Sequence, residues 1–315
     1  MNKKDIRTSA AFTAVCAVFC TMLWGSAFPA IKTGYELFRI PAQDIPSKLI
    51  FAGARFSAAG IMILLAGLCI MHSRRRELLI RKKDIFPVIS LSFFQTFLQY
   101  LLLYVGLTSV TGTRSSILTS VSTFASVILS AVFFRSDRLS AGKLCGCAVG
   151  MAGLVYMNAA GGFSEFSLMG DGLVILSNIS GAAGNVISKA AAPGRDPLQL
   201  SGWQLTLGGL ALTAAGIISG GRLVFYDSSC FLILLYLALM AGTAFLIWTM
   251  LIFRNPVSRV AVFSLLIPVF GTLWSGLFLG EELLSLRNII SLALVCLGIF
   301  LVNKKQNKKN GDVSI

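Results

Sequence analysis

Apolar stretches recur along the whole chain, each closed by a short polar or basic cluster. A helix rising ~1.5 Å per residue needs roughly 20 such residues to cross ~30 Å of hydrocarbon. Ten runs approach that length: 9–31, 47–71, 86–109, 113–134, 140–158, 168–190, 199–218, 230–253, 258–279 and 286–302. The pattern predicts an all-α integral membrane protein with ten transmembrane helices.

Composition agrees. Of 315 residues, 56% are hydrophobic and 13% charged, with a mean hydropathy of +0.80, too few polar groups to cover a soluble surface. Lys3, Lys4 and Arg7 before an apolar stretch resemble the start of a signal peptide. The apolar run continues to Ile31, however, and has a counterpart later, so it reads as a retained first helix.

A net charge of +14 would suggest nucleic acid in a soluble protein, but here its distribution is a topology signal. Most of the 27 lysines and arginines, among them the run "RRRELLIRKK" and Lys143, Lys189, Arg195, Arg254 and Lys304, fall on one side if the N-terminus is inside. By the positive-inside rule both termini are cytoplasmic, in a multi-pass protein of the plasma or inner membrane. No nucleic-acid partner is called for; membrane lipid is the surrounding partner. The seven cysteines fall almost entirely within spans, and the one histidine, His72, lies in a basic loop. Neither a disulfide framework, a metal set nor a cofactor follows.

Residues 113–158 align with 258–303 without a gap. Arg114 meets Arg259, Ser130 meets Ser275, Gly153 meets Gly298, Asn158 meets Asn303, and Asp137 faces Glu282. "LWGSAFPAIK" at 23–32 aligns with "SGAAGNVISK" at 180–189 when Lys32 is laid on Lys189. The first half is the longer, its extra residues in the polar loop "GYELFRIPAQDIPSK". The reading is a five-helix repeat over 1–160, a second over 161–303, and a basic tail at 304–315. An odd number of spans per half inverts the second relative to the first. In secondary carriers that arrangement puts a substrate site near the midplane.

The chain resembles the drug/metabolite transporter superfamily, specifically the ten-helix EamA type. The resemblance is carried by "LWGSAFPAIK", "FAGARFSAAGIMIL", "LLLYVGLTSVTGTRSSILTSVSTFASVILSAVFF", "LSAGKLCGCAVGMAGLVYM" and "SRVAVFSLLIPVFGTLWSGLFLGEELLSLRNIISLALVCLGIFLV". It implies a carrier with a central cavity between the repeats, moving amino acids or other small metabolites or drugs by alternating access, often outward. The chain departs from the family pattern in having Asp137 where Glu is usual and Ser180 where an aromatic is common.

Trp24, Phe28 and Lys32 recur every four residues and share a face of the first helix. Trp24 then lines the cavity and Lys32 attracts an anionic group at its mouth, the alternative being an interfacial anchor with a snorkelling lysine. In helix 3, Gln95 and Gln99 form one stripe and Tyr100 and Tyr104 another. Amides are costly against lipid, so the glutamines face protein or water. Asn178, Asn185, Trp203, Gln204, Trp248 and Thr249 extend the same chemistry, which suits an amino acid, an amphipathic metabolite or a planar drug. Arg55 is the deepest arginine in any span and calls for a partner, Glu281 or Glu282, as an outer gate or a structural tie. Pro29 and Pro268 mark bends. Gly142, Gly146 and Gly150 form a small-residue stripe for packing within the chain, or else a homodimer face.

No span carries a central Asp or Glu, which argues against a membrane carboxylate as proton carrier. A membrane-embedded enzyme would need acid, base or metal groups clustered at one depth, and no such set is evident. A sensor or scaffold would normally append a soluble domain. Uptake of sugars or nucleoside-like solutes is the other transport reading.

Overall fold

The computed structural model describes residues 10–70, 79–110, 115, 118–158, 166–279 and 286–304. All regular structure among them is helical. The helices are α1 (Ala10–Leu37), α2 (Ile45–Ile70), α3 (Lys82–Gly106), α4 (Val121–Phe133), α5 (Ala141–Asn158), α6 (Leu173–Ala191), α7 (Pro197–Ile218), α8 (Ser228–Arg254), α9 (Val257–Ala261, Val262–Leu265 and Leu266–Leu279) and α10 (Leu286–Asn303). By length and apolarity α1, α2, α3, α8 and α9 are each able to cross a membrane, with α4, α5 and α10 as shorter apolar helices. Val15, Leu65, Val132, Leu232, Leu277 and Phe300 point outward, as lipid-facing side chains do.

The helix starts follow ordinary capping chemistry. Asp196 precedes Pro197 and accepts from the Leu198 N–H at 2.7 Å; Asp227 accepts from Ser229 N–H at 2.7 Å. Each cap satisfies donors that the first turn leaves open, so α7 and α8 begin slightly before the apolar runs do. At the other extreme α1 outlasts its apolar run and ends at Leu37, where Arg39 takes a left-handed conformation (φ 52°) and Ile40 N–H reaches back to Tyr35 O at 2.9 Å.

α1 lies antiparallel to α8. Contacts run from Thr13 with Asn255, through Cys20 with Ala244 and Trp24 with Trp248, to Leu37 with Cys230. α3 and α6 are antiparallel too, with Gln95 at Gly184, Gln99 at Gly181 and Gly106 at Val174. Helices five apart in order pack together: α2 on α7, and α5 on α10. Glycines make both crossings close. A Cβ at Gly209 would lie 2.6 Å from Ser57 Oγ and 2.7 Å from Gly53 O; one at Gly146 would lie 2.7 Å from Gly298 O. The stripe in α5 thus serves contact within the chain at Gly146 and Gly150, while Gly142 is partly exposed.

One end of the bundle is held by polar ties. Asp84 accepts from Arg195 Nε at 2.9 Å and from Gln199 Nε2 at 3.3 Å. Asp137 accepts from Lys143 Nζ at 2.5 Å, from the Ser258 N–H at 2.9 Å, and from the Ser258 hydroxyl. Lys189 donates to Phe253 O at 3.1 Å at the same end, whereas Lys32 stands near the opposite end, beside the α1–α2 turn.

Candidate functional site

A cavity of about 330 Å³ lies between α1, α2, α3, α4, α6, α8 and α9, and its lining reaches Tyr35, Tyr104 and Leu107, away from the polar ties. Of the residues singled out from sequence, Trp24, Phe28, Gln95, Gln99, Tyr100, Tyr104, Asn185, Trp248 and Arg55 all contribute to its wall.

Asn185 organises its floor. Its Oδ1 accepts from Trp248 Nε1 at 3.1 Å and from Gln95 Nε2 at 3.4 Å, and its Nδ2 donates to Ser126 Oγ at 3.3 Å. One side chain thereby joins α3, α4, α6 and α8. Trp24 packs edge-on against Trp248 (5.0 Å between centroids) and Phe245 (5.4 Å), continuing the aromatic wall into α1.

Gln99, Tyr100 and Tyr104 share the cavity from the regular part of α3, whereas Gln95 reaches it from an irregular turn. Ser92–Leu98 is a π-helical stretch. Such wide turns change the phase of a helix and are frequent at functional sites. Ser180 donates to Phe94 O at 2.6 Å, within this irregular segment, and Ser177 to Gln99 O at 2.7 Å, just after it. That gives Ser180 a structural role in place of an aromatic ring. Gly181 and Gly184 leave room for the two glutamines: a Cβ would lie 2.7 Å from Gln99 Oε1 and 2.6 Å from Gln95 Cβ respectively.

Five residues from the sequence reading stand elsewhere. Gln204 is fully buried and accepts from Thr96 at 2.8 Å; Asn178 donates to Val174 O in its own helix at 2.8 Å. Trp203 packs beside Val88, Leu91 and Leu200, and Thr249 is buried outside the cavity wall. Lys32 lies in a separate open cleft of about 450 Å³ with Glu36, Arg39 and Lys48. A step of four residues turns a helix by about 40° beyond a full circle, so two steps carry Lys32 away from Trp24's direction. Tyr35 returns close to that direction and lines both cavity and cleft. Tyr35, Phe56 and Phe245 were not picked out from sequence; the spacing 24, 28, 31, 35 is the signal that identifies Tyr35.

Pro29 is buried inside α1, and beside it Gly25 admits α9: a Cβ there would lie 2.6 Å from Phe270 Cβ. Pro268 follows the 3-10 stretch Val262–Leu265, where it has no N–H to offer Ser264 O, so the irregularity in α9 sits where the proline requires it. Glu281 and Glu282, the expected partners of Arg55, lie outside the described residues.

Outside the spans, burial raises the Asp137 carboxyl, but hydrogen bonds from Lys143 and Ser258 outweigh it and hold the group below the usual carboxylate range.

The model of the EamA-like transporter family matches this chain twice, over residues 9–159 and 168–304. The chain is 28% identical over 287 residues to an uncharacterized transporter of Archaeoglobus fulgidus, covering 90% of this chain and 95% of the relative. It is 26% identical over 297 residues to a probable amino-acid metabolite efflux pump of Salmonella typhimurium, covering 90% and 92%. A crystal structure at 20% identity superposes with a TM-score of 0.75 over 93% of this chain and 96% of the other, a likeness of fold.

Proposed function

The chain belongs to the EamA-like transporter family, and on that premise we propose that it exports an amino acid or a related small metabolite across the plasma membrane by alternating access. The cavity walled by Trp24 and floored by Asn185 is its binding chamber. That chamber carries the reading: about 330 Å³, aromatic, and walled by residues from both halves of the chain. Its size and mixed apolar and amide lining suit a small amphipathic solute.

The mechanism rests on two inverted five-helix repeats, 1–160 and 161–303, with both termini cytoplasmic and the tail at 304–315. Support comes from the two separate family matches, from the pairing of α2 with α7 and α5 with α10, and from Lys32 and Lys189 at opposite ends. The Asp84–Arg195 and Asp137–Ser258 contacts each link the first half to the second. In this scheme they close one end while the other is open, and exchange with contacts at the far end when the halves rock.

Reconstitution into proteoliposomes tests the reading. Counterflow of radiolabelled amino acids, their deaminated acids, sugars and nucleosides is expected to show saturable movement of at least one class, reduced by substitution of Asn185. Movement of no solute under any gradient would overturn it, and movement of sugars or nucleosides alone would replace the substrate class.

A further inference from the structure

Arg55 is the charged residue in the chamber wall, and it is 4% exposed. Among the described residues it makes no hydrogen bond and no ion pair, and its Nε is a buried donor without an acceptor. Its guanidinium lies 4.5 Å from the Phe56 ring centroid and 5.8 Å from that of Tyr100. Arginine cannot shed its proton, and a cation held away from water is costly unless something neutralises it. Ring faces offset only part of that. The remaining demand is for an anion.

Of the other buried polar atoms left open in the chamber, one is a donor of the same kind. Trp24 Nε1 is a donor without an acceptor, and the Tyr35 hydroxyl has that of Tyr104 as its neighbour. Gln95 Oε1 is the acceptor left free. Among the described wall residues no carboxylate faces the chamber, so an ammonium group finds no counter-charge there. Tyr35 also joins the chamber to the cleft where Lys32, Arg39 and Lys48 outnumber Glu36, a positive approach that draws anions toward it.

Building on the carrier reading, we propose that the chamber selects a monocarboxylate with an aromatic body and no ammonium group, an arylalkanoate or aryl 2-oxo acid, and that Arg55 binds its carboxylate. The rings of Trp24, Phe56, Tyr100 and Phe245 take the body, and Trp24 Nε1 adds a donor to the head.

Binding to the purified full-length protein in detergent tests this with four matched probes at neutral pH: 3-phenylpropionate, its amide, L-phenylalanine and phenethylamine. The acid is expected to bind about tenfold or more tightly than each of the others, as a charge-assisted pair with arginine implies. Arg55→Gln brings the acid down to the level of the amide, while Arg55→Lys retains part of the preference. A purely structural tie would instead lower stability and weaken all four probes alike. Should Arg55→Gln fail to fold, Trp24→Phe keeps the ring and removes one donor, and is expected to weaken the acid more than the amide.

Equal binding of phenylalanine and phenylpropionate would overturn the inference, as would full acid preference in Arg55→Gln. Binding of the amide or amine without the acid overturns it and leaves the carrier reading standing. If none of the four binds, the inference falls, and the carrier reading is decided by the counterflow panel.

Discussion

Trp248 Nε1 and Asn185 Oδ1 are 3.1 Å apart, and through that bond α8 is tied to the helix that also holds Gln95 of α3. Trp248 is 4% exposed, so its N–H has no water to turn to. Replacing Asn185 by Leu leaves the Trp248 and Gln95 donors unsatisfied, a loss of about 1–3 kcal/mol. A lower melting temperature in detergent is expected, together with weakened transport; Asn185→Leu with wild-type melting and wild-type kinetics would remove Asn185 from its organising role.

The α2–α7 crossing depends on the absence of side chains. Gly209→Val places a methyl group where Ser57 Oγ and the Gly53 carbonyl already stand, and forces the helices apart. Loss of monodisperse protein, or a destabilisation of about 3 kcal/mol or more, is expected. Gly142→Ala, at a partly exposed position of α5, is expected to behave as wild type. Size-exclusion profiles and thermal melts of the two variants check the contrast.

Asp137 carries a pH dependence of definite sign. Because its folded-state value is held below the unfolded value of about 3.9, its contribution is complete above that value and disappears as pH falls through the folded one. Asp137→Ala is therefore expected to melt earlier at pH 7, by about 3 kcal/mol, the low end for a buried pair since Lys143 keeps partial contact with water. The variant should also show a shallower loss of stability on acidification. Melting curves from pH 7 down to about pH 3 read both effects, and parallel acid limbs would contradict the assignment.

Lys32 is expected to affect rate more than affinity. In the open cleft it faces solvent, so Lys32→Ala should slow uptake of an anionic solute from that side several-fold at low salt, the two proteins converging near 1 M salt. Initial rates across an ionic-strength series measure this. A salt-independent deficit would mean that Lys32 contacts the solute directly.

Apolar run length located the helical segments because lipid imposes one length scale on all of them. It misjudged ends where polar residues continue a helix: α1 runs past Lys32 and Glu36 to Leu37, a turn beyond its hydropathy. Among the site residues, Trp24, Gln95, Gln99, Asn185 and Trp248 were legible because amides and indoles need protein or water around them in a membrane. The same residue types misled for Asn178, Trp203, Gln204 and Thr249, since a polar side chain is equally content between two helices, as Gln204 is with Thr96. Residue type does not give helix phase. The π stretch in α3, from which Gln95 reaches the wall, has no signature in a single sequence, and the acidic partners expected for Arg55 lie outside the described residues.

The most direct measurement fills the chamber. Ala27 lines it beside Trp24, whereas Val15, about three turns earlier on the same helix, is 69% exposed on the outer surface. Ala27→Trp should remain monodisperse and lose transport by at least about tenfold, while Val15→Trp, equal in bulk but facing lipid, keeps the wild-type rate. Wild-type transport by a well-folded Ala27→Trp protein would show that solute takes some other path.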